Sequence, residues 1–318
     1  MEITIITPTY NRGENLKKLY ESLLNQTNKK FKWLIVDDGS TDNTENIINY
    51  FIKQEKLHLK YIKKKNAGKH TALNLGIKQI DTELTFIVDS DDWLTEDAVE
   101  TILNYHNKYK TKDNLCGYSF LRKFSNEQIN GKILKKNEII DDYINIRING
   151  KDTNSDKAEV WKTKCLKEYY FPEFENEKFL GEDVVWIQLA LKYKMVFINQ
   201  AIYISEYLED GLTNNRRKNN IKSPNGCYYR AKISINICKK RKVNFKYFIK
   251  CLLQYQIYGK FAKKNLKQTF KECEFKIWFI ILFPISFILY KKWKHDYIKY
   301  EKKTLREEER GKLWKKLK

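Results

Sequence analysis

The order of apolar runs predicts an α/β fold: a mostly parallel, Rossmann-like mixed sheet with helices on both faces, joined to a helical and strongly basic C-terminal region. Three observations carry this. Apolar, β-branched runs alternate with amphipathic stretches up to about residue 110, the pattern of strand–helix–strand crossovers. Polar clusters follow the apolar runs, and open α/β sheets bind ligands beyond the carboxyl ends of their strands. The charge also changes character near residue 220: residues 1–219 hold 34 Lys and Arg against 33 Asp and Glu, whereas residues 220–318 hold 27 against 7. The expected organisation is therefore an α/β domain over 1–219 and a basic helical region over 220–318.

The elements follow in order. Ile3 to Thr7 reads as a strand. Glu14 to Gln26 places Leu16, Leu19, Leu23 and Leu24 at helical spacing. Trp33 to Val36 is a strand running into Asp37-Asp38-Gly39-Ser40, and Asp42 to Phe51 is a helix with Asp42 as its expected N-cap. Leu59 to Ile62 is a short strand and His70 to Ile80 a helix. The strand Leu84 to Val88 and a helix from about Glu96 to Tyr109 complete the alternation.

Each strand end carries chemistry. Asp89-Ser90-Asp91-Asp92 brings three carboxylates to the end of a buried strand, where they repel one another and are costly to desolvate. A divalent cation relieves both costs. Hard oxygen ligands suit Mg²⁺ or Mn²⁺, and Mg²⁺ is held by one or two carboxylates plus substrate phosphates. Asp89, Asp91 and Asp92 are thus candidate metal ligands, against the alternative of a solvated acidic turn before a helix. Pro8-Thr9-Tyr10-Asn11-Arg12 offers a rigid turn, exposed amides and an aromatic ring, suited to a nucleobase. Asp37-Asp38 offers a carboxylate to accept from a base N–H. Asn66-Ala67-Gly68-Lys69-His70 opens a helix, an anion site to which Lys69 adds charge; His70 reads as a surface residue.

Taken together and in order, Thr-Pro-Thr-Tyr-Asn, Val-Asp-Asp-Gly-Ser-Thr-Asp, Asn-Ala-Gly-Lys-His-Thr-Ala-Leu-Asn-Leu-Gly and Asp-Ser-Asp-Asp resemble the family 2 glycosyltransferases of GT-A fold. The likeness covers about the first 110 residues well and extends loosely to about residue 215. It implies a nucleotide-sugar donor (UDP-sugar the first expectation), Mn²⁺ or Mg²⁺, and inversion at the anomeric carbon. It implies that Pro8, Thr9, Tyr10 and Arg12 border the nucleoside, that Asp38 meets the base, that Lys69 faces phosphate, and that Asp91 meets ribose or metal with Asp91 or Asp92 as ligand. Leu73 departs from the Arg of many relatives. Glu182-Asp183, opening the apolar helix Val184-Val185-Trp186, resembles the acceptor-side motif; by that likeness Asp183 is the general base and Glu182 orients it or the acceptor. The alternative is acids favoured at a helix start. Trp161 and Trp186 could stack on sugars, although Trp in an apolar segment is more often core. Asp210 to Thr213 with Arg216 and Arg217 suggests a flap over the diphosphate. No Gln-x-x-Arg-Trp motif is present, so transfer of a single sugar is expected.

The tail suggests the setting. Residues 227–271 show helical apolar spacing, and Ile277 to Tyr290 is a 14-residue apolar run interrupted by Pro284 and flanked by Lys276, Lys291, Lys292 and Lys294. A bilayer span needs roughly 20 residues. The run fits a helix lying in the membrane interface, drawn there by anionic lipid, against the alternative of a core or dimer helix. Six scattered cysteines without a Cys-x-x-Cys pair, and a first strand beginning at the N-terminus with no signal peptide, suggest reduced thiols in the cytoplasm. The expectation is a peripheral enzyme on the inner face of the cell membrane, acting on a lipid-linked glycan in capsule, exopolysaccharide or cell-wall synthesis. The competing classes are a nucleotidyltransferase of related fold, which needs a basic Gly-rich first loop, and a basic nucleic-acid or membrane-binding module, which leaves the acidic cluster unexplained.

Overall fold

The computed structural model describes residues 2–150, 155–206 and 216–316. Its contacts divide it into two units, Met1–Gly211 and Leu212–Lys318.

In the first unit the alternation continues as expected through β1 (Ile3–Thr9), α1 (Gly13–Leu24), β2 (Phe31–Asp37), α2 (Thr44–Lys53), β3 (Leu59–Lys63), α3 (Lys69–Gln79) and β4 (Leu84–Ile87). β5 (Trp93–Leu94), α4 (Ala98–Tyr109), β6 (Leu115–Lys123), β7 (Glu138–Asp141), a π-turn at Ile144–Ile148, β8 (Ala158–Lys162), α5 (Thr163–Leu166), α6 (Asp183–Leu189) and β9 (Lys194–Ile204) follow. β3, β2, β1 and β4 lie side by side and parallel, in that order. β8 joins β4 antiparallel, then β6, β9 and β5 extend the sheet, with β7 also on β9. The mixed sheet of the expectation is therefore a parallel half and a mostly antiparallel half meeting at β4–β8.

The strand order matters for function. The chain winds outward from β1 to β2 and β3, then returns to the other side of β1 for β4. Such a reversal leaves a crevice beyond the carboxyl ends of β1 and β4. The register aligns those ends: Thr9 pairs with Asp37 and Asp37 with Lys63. Behind them lies a continuous core including Ile3, Ile5, Leu16, Trp33, Ile35 and Phe86, each fully buried. β1 is buried at every position, as a central parallel strand covered on both faces must be.

Helix starts differ in detail from expectation. The N-cap of α2 is Asn43; Asp42 stands one residue earlier and accepts from both the backbone N–H and the hydroxyl of Thr44. α3 begins at Lys69, after Gly68 at φ +103°. A side chain at Gly68 would be strained by that angle, and its Cβ would lie 2.2 Å from the Lys178 carbonyl oxygen.

The second unit is helical: α7 (Arg216–Lys222), α8 (Pro224–Lys240), α9 (Phe245–Phe261), α10 (Leu266–Glu272) and α11 (Lys276–Lys316). Tyr228 stacks on Tyr255 at 4.8 Å, Leu252 and Tyr255 are buried, and Phe279 and Leu282 close the cluster from α11. Inside it, the Ser286 hydroxyl donates to Gln256 Oε1 at 2.6 Å, and Gln256 Nε2 donates to the Phe279 carbonyl at 3.0 Å. The apolar run and the charged tail, expected as separate segments, form one helix that passes through Pro284. Among the described residues no helix is long and apolar enough to cross a membrane. The opposite face of α11 exposes Ile277, Ile280, Ile281, Ile285 and Ile288, at 49–74%. All six cysteines are free.

Gly68→Ala should destabilise the first unit by more than about 1 kcal/mol. A melting curve should show a midpoint lower by at least roughly 2–4 °C; an unchanged midpoint would mean that the α3 start adapts freely.

Candidate active site

Four loops converge at the crevice. The β1–α1 loop is stitched to the β2–α2 loop: Asn11 N donates to Ser40 Oγ at 2.8 Å, and Asn11 Oδ1 accepts from Thr41 N at 2.8 Å. Asn11 adopts φ +51°, a left-handed conformation that Asn tolerates better than most residues. Pro8 and Thr9 are buried, while Tyr10 stays 47% exposed at the mouth. The Thr9 hydroxyl has no hydrogen-bond partner among the described residues.

Asp37 and Asp38 both serve the scaffold. Asp37 accepts from Ser40 N at 2.8 Å and Tyr61 OH at 2.9 Å. Asp38 accepts from Lys64 Nζ at 2.7 Å, Ala67 N at 2.9 Å, Gly68 N at 2.6 Å and Asn66 Nδ2 at 3.1 Å. Four donors fill a carboxylate's lone-pair positions. Through these bonds the carboxylate shapes the loop entering α3.

The acidic turn after β4 splits its three carboxylates among three environments. Asp92 is buried at 5% exposure, accepts from Tyr203 OH at 2.7 Å, and lies 3.4 Å from Arg122 Nη1. Arg122 stacks on the Tyr203 ring at 3.9 Å and donates from Nε to the Lys157 carbonyl. Tyr203 OH also accepts from Asp89 N at 3.0 Å. Burial, then Asp89, pushes the Asp92 carboxyl up to about 7. Asp89 forms an ion pair with Lys69; burial alone would push its carboxyl up, but Lys69 and Arg122 hold it below the ordinary range. Asp91 has no hydrogen-bonded side-chain partner among the described residues, and burial and the Asp89 charge raise its carboxyl above the ordinary range.

The fit to a divalent cation follows from this donor set. Asp92 is turned toward Tyr203 and Arg122. Among the described residues no group of three or more His, Cys, Asp or Glu side chains is placed to hold a metal. Asp89 and Asp91 remain, two hard carboxylates. Two are what a Mg²⁺- or Mn²⁺-type ion completed by substrate phosphates requires.

Lys69 makes a second ion pair, 2.6 Å to Glu182 Oε1. Asp183 is the first residue of α6. The helix is seated by Trp186, stacked on Trp161 at 4.3 Å and edge-on to Phe171 at 6.1 Å. Both tryptophans are core residues, at 4% and 0% exposure, and offer no face to a sugar. Asn74 reaches out of α3 to hold the chain before α6, donating to the Phe171 carbonyl at 2.8 Å and accepting from Phe171 N at 2.9 Å. Leu73 is fully buried, so no phosphate contact arises there. His70, expected at the surface, is 2% exposed with an unpartnered Nδ1, and burial lowers its pKa. The expected flap at 210–213 lies outside the described residues.

Residues 4–155 match the family model described as Glycosyl transferase family 2. The chain carries a family 2 glycosyltransferase domain. It is 28% identical over 285 residues to the GalNAc(5)-diNAcBac-PP-undecaprenol beta-1,3-glucosyltransferase of Campylobacter jejuni, covering 86% of this chain and 87% of that one. It is 31% identical over 210 residues to Glycosyltransferase GlyA of Streptococcus pneumoniae, across 64% of this chain but only 30% of the length of GlyA. The crystal structure of Staphylococcus aureus TarS 1-349 in complex with UDP-GlcNAc superposes with a TM-score of 0.58 at 18% identity over 92% of each chain. That likeness is one of fold, and it agrees with the GT-A architecture. The glycosyltransferase domain thus brings together Asp89, Asp91, Lys69, Glu182 and the loop 8–12. Arg122, Tyr203 and Lys64 had no local sequence signal, because strand pairing between distant segments brings them in.

The Asp92 environment makes a pH prediction. Its folded pKa, about 7, lies above its ordinary value of 3.8. The folded state therefore holds this proton more tightly, and the resulting stabilisation is present at acid pH and lost as pH rises through about 7. In chelator, the melting midpoint of Asp92→Asn should gain on wild type between pH 5 and about 7.5. A constant difference across that range would place Asp92 in an ordinary solvated environment.

Proposed function

We propose that this glycosyltransferase moves one sugar, with inversion, from a nucleoside-diphosphate donor, UDP-sugar in the first instance, to a hydroxyl of a lipid-linked glycan acceptor in bacterial surface-glycan synthesis. The observation that carries the reading is that Lys69 pairs both with Asp89 of the acidic turn after β4 and with Glu182 at the start of α6, so that the two acidic motifs meet. A nucleotidyltransferase whose nucleophile is an already ionised phosphate needs no carboxylate base of this kind. The undecaprenol-linked glucosyltransferase, aligned over most of both chains, supports the acceptor class, and the UDP-GlcNAc complex of TarS supports the donor class.

In this reading the Pro8–Arg12 loop borders the nucleoside, with Tyr10 at the mouth and the Thr9 hydroxyl turned to a polar group of the ligand. Asp89 and Asp91 hold a Mn²⁺ or Mg²⁺ ion, whose chemistry is to neutralise charge on the departing diphosphate. Asp183 accepts the proton of the acceptor hydroxyl as its oxygen bonds to the anomeric carbon and the bond to the diphosphate breaks. Glu182 orients that side. The exposed isoleucines of α11, with Lys291, Lys292 and Lys294 beyond them, lie on the cytoplasmic face of an anionic membrane, where each Lys contributes about 1 kcal/mol. That placement brings the enzyme to a lipid-linked acceptor.

Thermal shift with UDP, GDP, dTDP and CDP, each with and without Mn²⁺, should give a metal-dependent rise with one nucleotide that Asp89→Asn/Asp91→Asn abolishes. At a concentration about 100 times the dissociation constant the stabilisation is about 2.7 kcal/mol. No rise with any nucleotide would remove the donor-site reading. Asp183→Asn should keep that rise and lose about 10²–10⁴-fold in transfer rate; near-normal transfer would exclude it as the base. Liposomes rich in anionic lipid should float the full chain, and the Ile280→Ser/Ile281→Ser/Ile288→Ser variant should stay in the soluble layer. Equal flotation of both would dismiss α11 as the docking face.

A further inference from the structure

Lys69 is one ammonium shared by two carboxylates from distant parts of the chain, the acidic turn after β4 and the start of α6. It pairs with Asp89, in the turn assigned to metal and diphosphate, and with Glu182, next to the proposed base. The three side chains are comparably shielded, at 28–29% exposure. The lysine is not free to wander. It is the first residue of α3, directly after Gly68, whose N–H is held by Asp38 and where the Lys178 backbone leaves no room for a side chain.

A carboxylate that neutralises an ammonium is a poorer ligand for a second cation, because the two cations repel at short range. A diphosphate changes that balance by adding negative charge between them. We propose that Lys69 is a resident counter-cation that opposes binding of the divalent ion alone and admits it together with the nucleoside diphosphate. Metal and nucleotide then bind with positive coupling, each raising the affinity for the other by the same factor. The same lysine ties this coupling to Glu182, which keeps a claim on the ammonium when Asp89 turns to the metal. The inference rests on the donor-site reading above and deepens it, by giving Lys69 a role other than the simple phosphate contact expected from its position.

The test is Mn²⁺ titration followed by the electron paramagnetic resonance of the free ion, with and without UDP, on wild type, Lys69→Gln, Lys69→Arg and Glu182→Gln. Removing the ammonium should tighten binding of Mn²⁺ alone by about tenfold, the effect of one like charge close to a shielded site, and should shrink the coupling to UDP. Lys69→Arg should keep the wild-type pattern. Glu182→Gln leaves the ammonium wholly to Asp89 and should weaken binding of Mn²⁺ alone by several-fold. Lys69→Met, which keeps the apolar stem and removes the charge, should tighten Mn²⁺ in the same way and keeps the test decisive if Lys69→Gln folds poorly. Unchanged or weaker Mn²⁺ binding in Lys69→Gln, beside normal Mn²⁺-dependent UDP binding in wild type, would overturn this proposal and leave the donor site standing. Absence of Mn²⁺-dependent binding of every nucleoside diphosphate to wild type would overturn both.

Discussion

Three carboxylates at the end of one buried strand cannot all stay charged and unaccompanied, and much of the site is arranged around that constraint. Asp92 is drawn inward to Tyr203 and Arg122. Asp89 is matched by Lys69. Asp91 keeps a raised affinity for its proton, the condition of a group that gains most from a cation. Each solution recruits a different element: β9 and β6 for Asp92, α3 for Asp89. The acidic turn is therefore a junction at which the parallel half of the sheet, the antiparallel half and the α3 start are brought into register.

Asp38 has the corresponding role one loop away. By collecting two backbone N–H groups and two side chains it fixes how the chain enters α3, and hence where Lys69 points. A charged acceptor with several donors is stronger than the same number of neutral hydrogen bonds. The position of Lys69 thus depends on a carboxylate one loop away.

The parallel half of the fold was legible in the sequence because each strand announces itself locally, by a β-branched run ending in a polar turn. β1 to β4 and the helices between them sit within a few residues of their expected bounds. The later strands were less legible: β6, β8 and β9 meet through pairings over long separations, and no local pattern says which segment will lie beside which. The site divides in the same way. Asp89, Asp91, Glu182 and Lys69 were visible as motif residues. Arg122 and Tyr203 were not, and the partners of Asp92 could not be foreseen for the same reason, since they come from those strands. His70 was misread because the face of α3 it occupies is covered by a segment around Glu173 and Glu177, which no helical pattern foretells. In the C-terminal unit the basic charge and helical periodicity were plain, but nothing local showed that the apolar run and the charged tail form the single helix α11, with Pro284 inside it.

The Ser286–Gln256 pair is a small polar contact in an otherwise aromatic seam between α9 and α11. Aromatic packing alone tolerates sliding, because one ring can replace another. Slippage of α11 by one helical turn would move Ser286 about 5.4 Å and leave the buried Gln256 Oε1 without its donor. The pair therefore acts as an index mark. It fixes the rotation and height of α11 against α9, and with them the side of the helix on which the isoleucines emerge.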